Sequence, residues 1–294
     1  MASSIGRVGI WSNGLRYSED RAAIADAAAE LEQLGYDALF LPDVGGDVLG
    51  DVEHVLDATR EVAVVTGILN IWMHDAGAIA AGIADLETRH PGRFTVGLGA
   101  SHAAVVDAEG REPRYGRPLS AMKAYLDGLD AGPTPVPQER RILAALGPKM
   151  LELSRDRAGG AHPYLVPVQH TRIARETLGP DRLLAPEVSV VLDDDPASGF
   201  ERARAFVADY LALPNYVNNL LRLGFTEQDV ADGGSERLVK ALVAYGDEEA
   251  IAAGVAEHHA AGADHVAVQV VGVPNGTLQL DIWRRIAPAL VSAA

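Results

Sequence analysis

Side chains able to hold or move a proton recur at one kind of place in this sequence, directly after short apolar runs. Asn13 follows Val8 to Trp11, Asp43 follows Ala38 to Leu41, and Asn70 and His74 follow Val62 to Ile68. Ser101 and His102 follow Phe94 to Gly99, and Gly147 and Lys149 follow Ile142 to Leu146. Gly160, Ala161 and His162 open a weaker run, and Gln269 lies in the run His265 to Val271. Few of these groups are charged. They show no His and carboxylate cluster at ligand spacing, so no metal site is expected. They show no nucleophile elbow and no Walker loop. Cysteine is absent, which excludes thiol catalysis and disulfides. Glycines and small polar groups in this pattern fit a bound planar cofactor better than a hydrolytic centre.

The elements that must position these groups alternate strand and helix. Val62 to Thr66 is apolar and β-branched without alternation, as in a strand buried on both faces. Gly67 interrupts it, which marks a bulge, a bend or a close approach to the backbone. Strands are expected at Val8 to Trp11, Ala38 to Leu41, Val62 to Ile68 and Phe94 to Gly99. Four more follow at Ile142 to Leu146, Gly160 to Leu165, Leu183 to Leu192 and His265 to Val271. Helices lie between them: Ser18 to Leu34 with Ser18 as N-cap and Gly35 at its end, Asp51 to Thr59, Ala76 to Arg89, Leu119 to Leu129, Lys149 to Ala158 and His170 to Leu178. Two or three helices fill Pro196 to Tyr245, then Glu248 to Ala261 and Leu278 to Leu290 close the chain. His170, His258 and His259 fall on helices and are expected to face solvent.

Eight strands separated by helices, with no linker or low-complexity tract, predict one α/β domain over residues 1–294, a parallel (β/α)8 barrel with insertions. A doubly wound sheet is the competing architecture, but no GxGxxG follows the first strand. The chain has 294 residues, 48% of them hydrophobic, which suits one large core. No apolar run approaches the length of a membrane span, and the N-terminus lacks a signal-peptide layout. A net charge of −16 argues against nucleic acid or anionic membrane as a partner. The absence of cysteine is compatible with the cytoplasm.

Several stretches carry a resemblance. Phe94 to Gly99 reads FTVGLG, Leu34 to Asp43 LGYDALFLPD, Arg89 to Phe94 RHPGRF, Gly116 to Leu119 GRPL and Gly160 to Val166 GAHPYLV. In order and spacing the chain resembles the bacterial-luciferase-like superfamily, and within it the coenzyme-F420-dependent oxidoreductases. The resemblance implies a luciferase-like TIM barrel that passes a hydride between the deazaflavin and a small organic substrate. An FMN-dependent monooxygenase on the same barrel, and a cofactor-free binding or structural barrel, are the rival readings. It also implies a homodimer, paired through helices near the second and third strands. The helix from Ala76 carries small residues, Gly77, Ala80, Ala81 and Ala84, that permit close packing.

Residue by residue, the resemblance implies a cis peptide at Gly67–Ile68 whose bulge supports one face of the cofactor ring. Asp43 matches an Asp used against the ring system, and Asn70 a polar position at its edge. Val44 departs from the pattern, since many relatives place a catalytic His there. Gly99 and Ser101 belong to the fourth-strand motif, and His102 stands where some relatives have an acidic catalytic residue. His102 and His74 are the candidate proton donors or acceptors. Gly147, Lys149, Gly160, Ala161 and His162 correspond to the region that holds the cofactor phosphate, where helix N-termini favour anions. Arg111, Arg114 and Arg117 cluster in the loop after the fourth strand and would meet the anionic tail of the deazaflavin.

Overall fold

The computed structural model describes residues 5–102 and 115–291. Its strands are β1 (Val8–Trp11), β2 (Ala38–Leu41), β3 (Ala63–Thr66), β4 (Leu69–Asn70), β5 (Phe94–Gly99) and β6 (Arg141–Leu143). They continue with β7 (Gly160–Ala161), β8 (Leu183–Leu184), β9 (Glu187–Leu192), β10 (Val243–Gly246) and β11 (Val266–Val270). Every pairing between them is parallel. The order runs β10-β9-β11-β1-β2-β3-β5-β6-β7-β8, with β4 beside β5. A parallel bridge from Tyr164, just after β7, to Glu187 at the start of β9 closes the ring. The result is a parallel (β/α)8 barrel. Parallel strands need crossover helices, and those helices bury the outer face of each strand.

Burial follows from that arrangement. β2, β5, β9 and β11 are buried along their whole length. The helix Ala76–Arg89 shows how the outer layer is built. Asp75 accepts the N–H of Ala78 as its cap, and Ile79, Ala80, Ile83 and Leu86 form the stripe that faces the sheet. A separate cluster fills the barrel interior, with Phe40, Val65, Ile142, Leu183 and Ala267 among its members.

Five local expectations are corrected. The first long helix is Arg21–Gln33 and its N-cap is Asp20, whose carboxylate accepts the N–H of Ala22 and Ala23. Ser18 instead closes a short preceding helix, Gly14–Tyr17. The helix expected at Asp51 to Thr59 starts earlier, because Asp47 caps a helix that spans Val48–Ala58. The run Leu183 to Leu192 is two strands, since Pro186 has no N–H to give the ladder. β10 lies where only helices were expected, and it pairs with the far half of β9. His170 and His258 are buried rather than exposed. His258 Nδ1 lies 2.8 Å from Thr171 Oγ1, and His170 Nε2 lies 2.9 Å from the Leu146 carbonyl.

Among the described residues no helix is long and apolar enough to cross a membrane.

Candidate functional site

A cleft of about 1110 Å³ opens where the strands end and the helices begin. Asp43, Gly67, Ile68, Gly99, Ser101, His102, Gly147 and His162 border it, so most of the sequence-predicted site residues converge. Asn13, Trp11 and Gln269 border it as well.

The wall between the second and fourth barrel strands is packed closely around two glycines. The Gly67–Ile68 peptide is cis, as the resemblance implied. The Gly67 carbonyl accepts a 2.6 Å hydrogen bond from Trp11 Nε1, and a Cβ on Gly67 would lie 2.7 Å from that indole. A Cβ on Gly99 would overlap Ile68. Only glycine fits at either position while these neighbours stay in place. Asn70 is fully buried beside Gly99, and its Nδ2 has no protein partner.

Asp43 is the best-anchored acid of the site. Its Oδ1 accepts from Arg16 Nη1 at 2.9 Å and from the Gly45 N–H at 3.0 Å. Its Oδ2 accepts from the Asn70 N–H at 3.0 Å and lies 2.7 Å from His74 Nε2. Burial pushes this carboxyl up, but those N–H groups, Arg16 and His74 together hold it below the usual range. Arg16 itself has no exposed side-chain surface and also reaches the carbonyls of Pro42 and Gly45. His74 is therefore bonded to Asp43 on one nitrogen and does not border the cleft.

His102 does border it. Ser101 takes a left-handed backbone (φ 52°) just before it. The imidazole packs on Tyr216, 5.4 Å between centroids, and its buried Nδ1 has no protein partner. Burial lowers its proton affinity, which the hydrogen bond with Asn215 partly offsets. His102 is thus a neutral base near pH 7 with a free nitrogen.

The expected phosphate region divides in two. Gly147 precedes the helix Pro148–Arg157, whose first turn has no side-chain cap, and Lys149 is exposed there. Arg222 was not foreseen. Its guanidinium bonds the Leu146 carbonyl and Asn219, with Nη1 3.5 Å from where a Gly147 Cβ would stand. Nothing in the sequence around Arg222 points to Gly147, because a helix far along the chain delivers it. Gly160 and Ala161, by contrast, are fully inside the sheet and do not border the cleft. Both pair on each side, with β6 and β8.

The inner wall holds groups that the strand-end rule overlooked. Tyr164, Tyr210 and Tyr216 pack edge to face, and Tyr164 OH lies 2.9 Å from Tyr210 OH and 2.8 Å from Gln269 Oε1. Glu187 opens β9 and is 4% exposed, and its Oε2 lies 3.4 Å from His162 Nε2. A lone glutamate in the apolar run Leu183 to Leu192 was the available signal. Away from the cleft, Glu53, Asp57 and His90 on the outer helices lie close enough together to share an ion. Glu53 is already paired with Arg89, and His90 lies 3.2 Å from Asp57.

The comparisons bear on the fold and on the family. Among solved structures the chain is similar to an F420-dependent secondary alcohol dehydrogenase in complex with an F420-acetone adduct. The identity is 15%, the TM-score 0.71, and the match covers 97% of this chain and 99% of the other. It is also similar to a coenzyme F420 dependent tetrahydromethanopterin reductase from Methanopyrus kandleri, at 16% identity and TM-score 0.70, covering 98% and 99%. A third is the oxygenating constituent of 3,6-diketocamphane monooxygenase from Pseudomonas putida in complex with FMN. It has 10% identity and TM-score 0.64, covering 98% and 96%. At such identities these likenesses speak to the fold. No curated protein sequence matches. The family model for luciferase-like monooxygenases matches residues 7–265, and the chain belongs to that family.

Proposed function

We propose that the chain is an F420-dependent oxidoreductase that acts on a small organic substrate. The observation that carries this reading is the wall of Gly67, Ile68 and Gly99 on the cleft, with Gly147 and the start of the helix Pro148–Arg157 at one end of it. A flat ring system fits against such a wall, and the uncapped helix at Gly147, with Lys149 and Arg222, offers an anion a seat. Asn70 is buried behind the cleft rather than on it, so the free Nδ1 of His102 is the unmet polar group that a ring edge or substrate would satisfy. Gly160 and Ala161 act indirectly here, by holding His162 at the cleft.

The deazaflavin, when bound, supplies a centre that takes or gives a hydride. The chain's own residues orient, exclude water and move protons. Asp43 fixes Arg16, the Gly45 turn and the Asn70 backbone, which sets the wall behind the ring. His102 accepts or returns a proton at its free nitrogen. His74 acts through Asp43, as a positioning residue. The reading includes a cytoplasmic homodimer.

Fluorescence titration of the purified apoprotein with F420 and with FMN tests this. Tighter F420 binding is the expected result. Replacing Arg111, Arg114 and Arg117 by Ser should weaken F420 more than FMN, with a difference that shrinks at high salt. Arg111 and Arg114 lie outside the described residues, and Arg117 is exposed. Tight FMN binding without F420 binding favours the second reading, an FMN-dependent monooxygenase. The family description and the FMN-bound neighbour support that alternative. Binding of neither moves the chain to the cofactor-free class.

A further inference from the structure

We infer that Glu187 and His162 form a buried acid–base pair at the inner wall of the cleft, which exchanges one proton with the oxygen of a carbonyl or alcohol substrate. The inference rests on the oxidoreductase reading and adds the substrate class and the proton path.

Geometry makes the case. His162 Nδ1 lies 2.7 Å from the Ala185 carbonyl, which can only accept. The ring therefore carries its proton on Nδ1 and turns Nε2 toward Glu187. Either Glu187 donates its proton to that nitrogen, or the imidazolium donates to the carboxylate. In both forms the pair holds one shared proton and no net charge. His162 is 1% exposed and Glu187 4%, yet both border the cleft. Glu187 Oε1 is buried with no hydrogen-bond partner among the described residues, and the contact of Oε2 with His162 Nε2 is long, at 3.4 Å. Unmet polar atoms of this kind in a core are costly unless a ligand or water uses them.

The surroundings keep the charge count low. Tyr164, Tyr210 and Tyr216 face Glu187, and burial pushes all three hydroxyls up, so they stay neutral. His265 is the imidazole nearest His162, across Phe40, and burial pushes it down to about 3. Gln269 and Ser189 complete the polar wall without charge. Desolvation pushes the Glu187 carboxyl up to about 7, and His162 pulls it the other way. Glu187 therefore changes protonation in the range where a proton carrier is effective. The same uncharged, tyrosine-rich wall favours a neutral substrate over an anion.

The step balances as follows. In reduction, a carbonyl carbon takes a hydride with its electron pair from the reduced deazaflavin. The C=O π bond opens, and the oxygen takes the proton from the Glu187–His162 pair. The product is an alcohol, the deazaflavin is oxidised, and the pair is left as a carboxylate that solvent reprotonates. In oxidation the alcohol O–H proton goes to that carboxylate while the hydride leaves carbon. Carbonyl reduction should fall, and alcohol oxidation rise, as pH passes through about 7.

Two measurements test the pair. Infrared titration of 13C-glutamate-labelled protein, with and without cofactor, should show a protonated carboxyl that ionises near neutral pH and disappears in Glu187→Gln. His162→Gln should move that ionisation to higher pH, a shift that mere loss of packing would not produce. The second measurement follows oxidised and reduced deazaflavin with a panel of neutral secondary alcohols and ketones. Glu187→Gln should lower turnover by on the order of 10²–10⁴-fold and lose the pH dependence, while cofactor affinity stays within about twofold. A Glu187 carboxylate ionised throughout overturns the inference, as does a Glu187→Gln enzyme with near-normal turnover and an unchanged pH profile. It also falls if the wild type, loaded with deazaflavin or FMN, turns over no neutral alcohol or ketone. Failure of the cofactor reading is seen separately, as absent F420 binding alongside an intact infrared titration.

Discussion

Replacing Asp43 by Asn tests the reasoning at its best-defined point. The side chain has no exposed surface, and each oxygen faces N–H donors: Arg16 and Gly45 on one side, Asn70 on the other. An amide has one acceptor oxygen. Whichever way it turns, its NH₂ meets an N–H, and Arg16 loses the buried one of its two carboxylate partners, keeping the partly exposed Asp51 at 2.9 Å. Breaking a buried pair by removing one partner costs about 3–5 kcal/mol. For a chain of this size that corresponds to a fall in Tm of roughly 6–20 °C, at about 2–4 °C per kcal/mol. The pH dependence gives a second check. A carboxyl held below its ordinary value contributes stability that is present above the unfolded value, near 3.9, and is lost as pH falls through the folded value. Asp43→Asn should lose that part of the acid sensitivity, and its stability deficit should shrink toward low pH. Thermal unfolding followed by circular dichroism between pH 3 and 7 reads both effects. A deficit below about 1 kcal/mol at pH 7, or one independent of pH, would refute the account of Asp43 as the hub of this wall.

Four further outcomes are expected. Gly160→Ala should prevent soluble expression, because its Cβ would overlap the backbone carbonyl oxygen of Leu183, whereas Gly116→Ala, with nothing within 4 Å among the described residues, should unfold within about 0.5 kcal/mol of wild type. Arg222→Gln should weaken FMN and F420 alike, by an amount that falls with added salt, as equilibrium titration will show. His102→Gln should leave cofactor affinity nearly unchanged and lower turnover by about 10²-fold, read by single-turnover kinetics. Light scattering at micromolar concentration should give a dimer mass, and a monomer would reject the proposed pairing through the helix Ala76–Arg89.

Much of the barrel was legible because its strands are near-continuous apolar runs, with glycine, proline or asparagine close to their ends. The helix Ala76–Arg89 was readable to both ends, since Asp75 caps it and His90, Pro91 and Gly92 stop it. β10 was not readable, because Val243–Gly246 continues without punctuation from the helix Glu236–Leu242. The cleft's polar groups divide in the same way. Asp43, Ser101 and His102 follow their strands, where a parallel barrel presents its ligands. Glu187 begins a strand and Arg222 sits on a helix, so only the closed fold brings them to the site. His170 and His258 look like exposed helix residues because sequence shows their helices but not the neighbours that cover them.

The register of β1 has a consequence for how this chain is made. Val8 to Trp11 pair on one side with β2, which emerges from the ribosome soon afterwards. On the other side they pair with Val266 to Gln269, which emerge near the end of synthesis. Until then a buried, apolar strand has one open edge, and such edges recruit other chains. Closure of the ring is a late event with a long loop to pay for. A nascent chain of this protein is thus most vulnerable to aggregation just before its last strand appears, and truncations short of Val266 should be held by chaperones or lost to inclusion bodies rather than released as smaller soluble barrels.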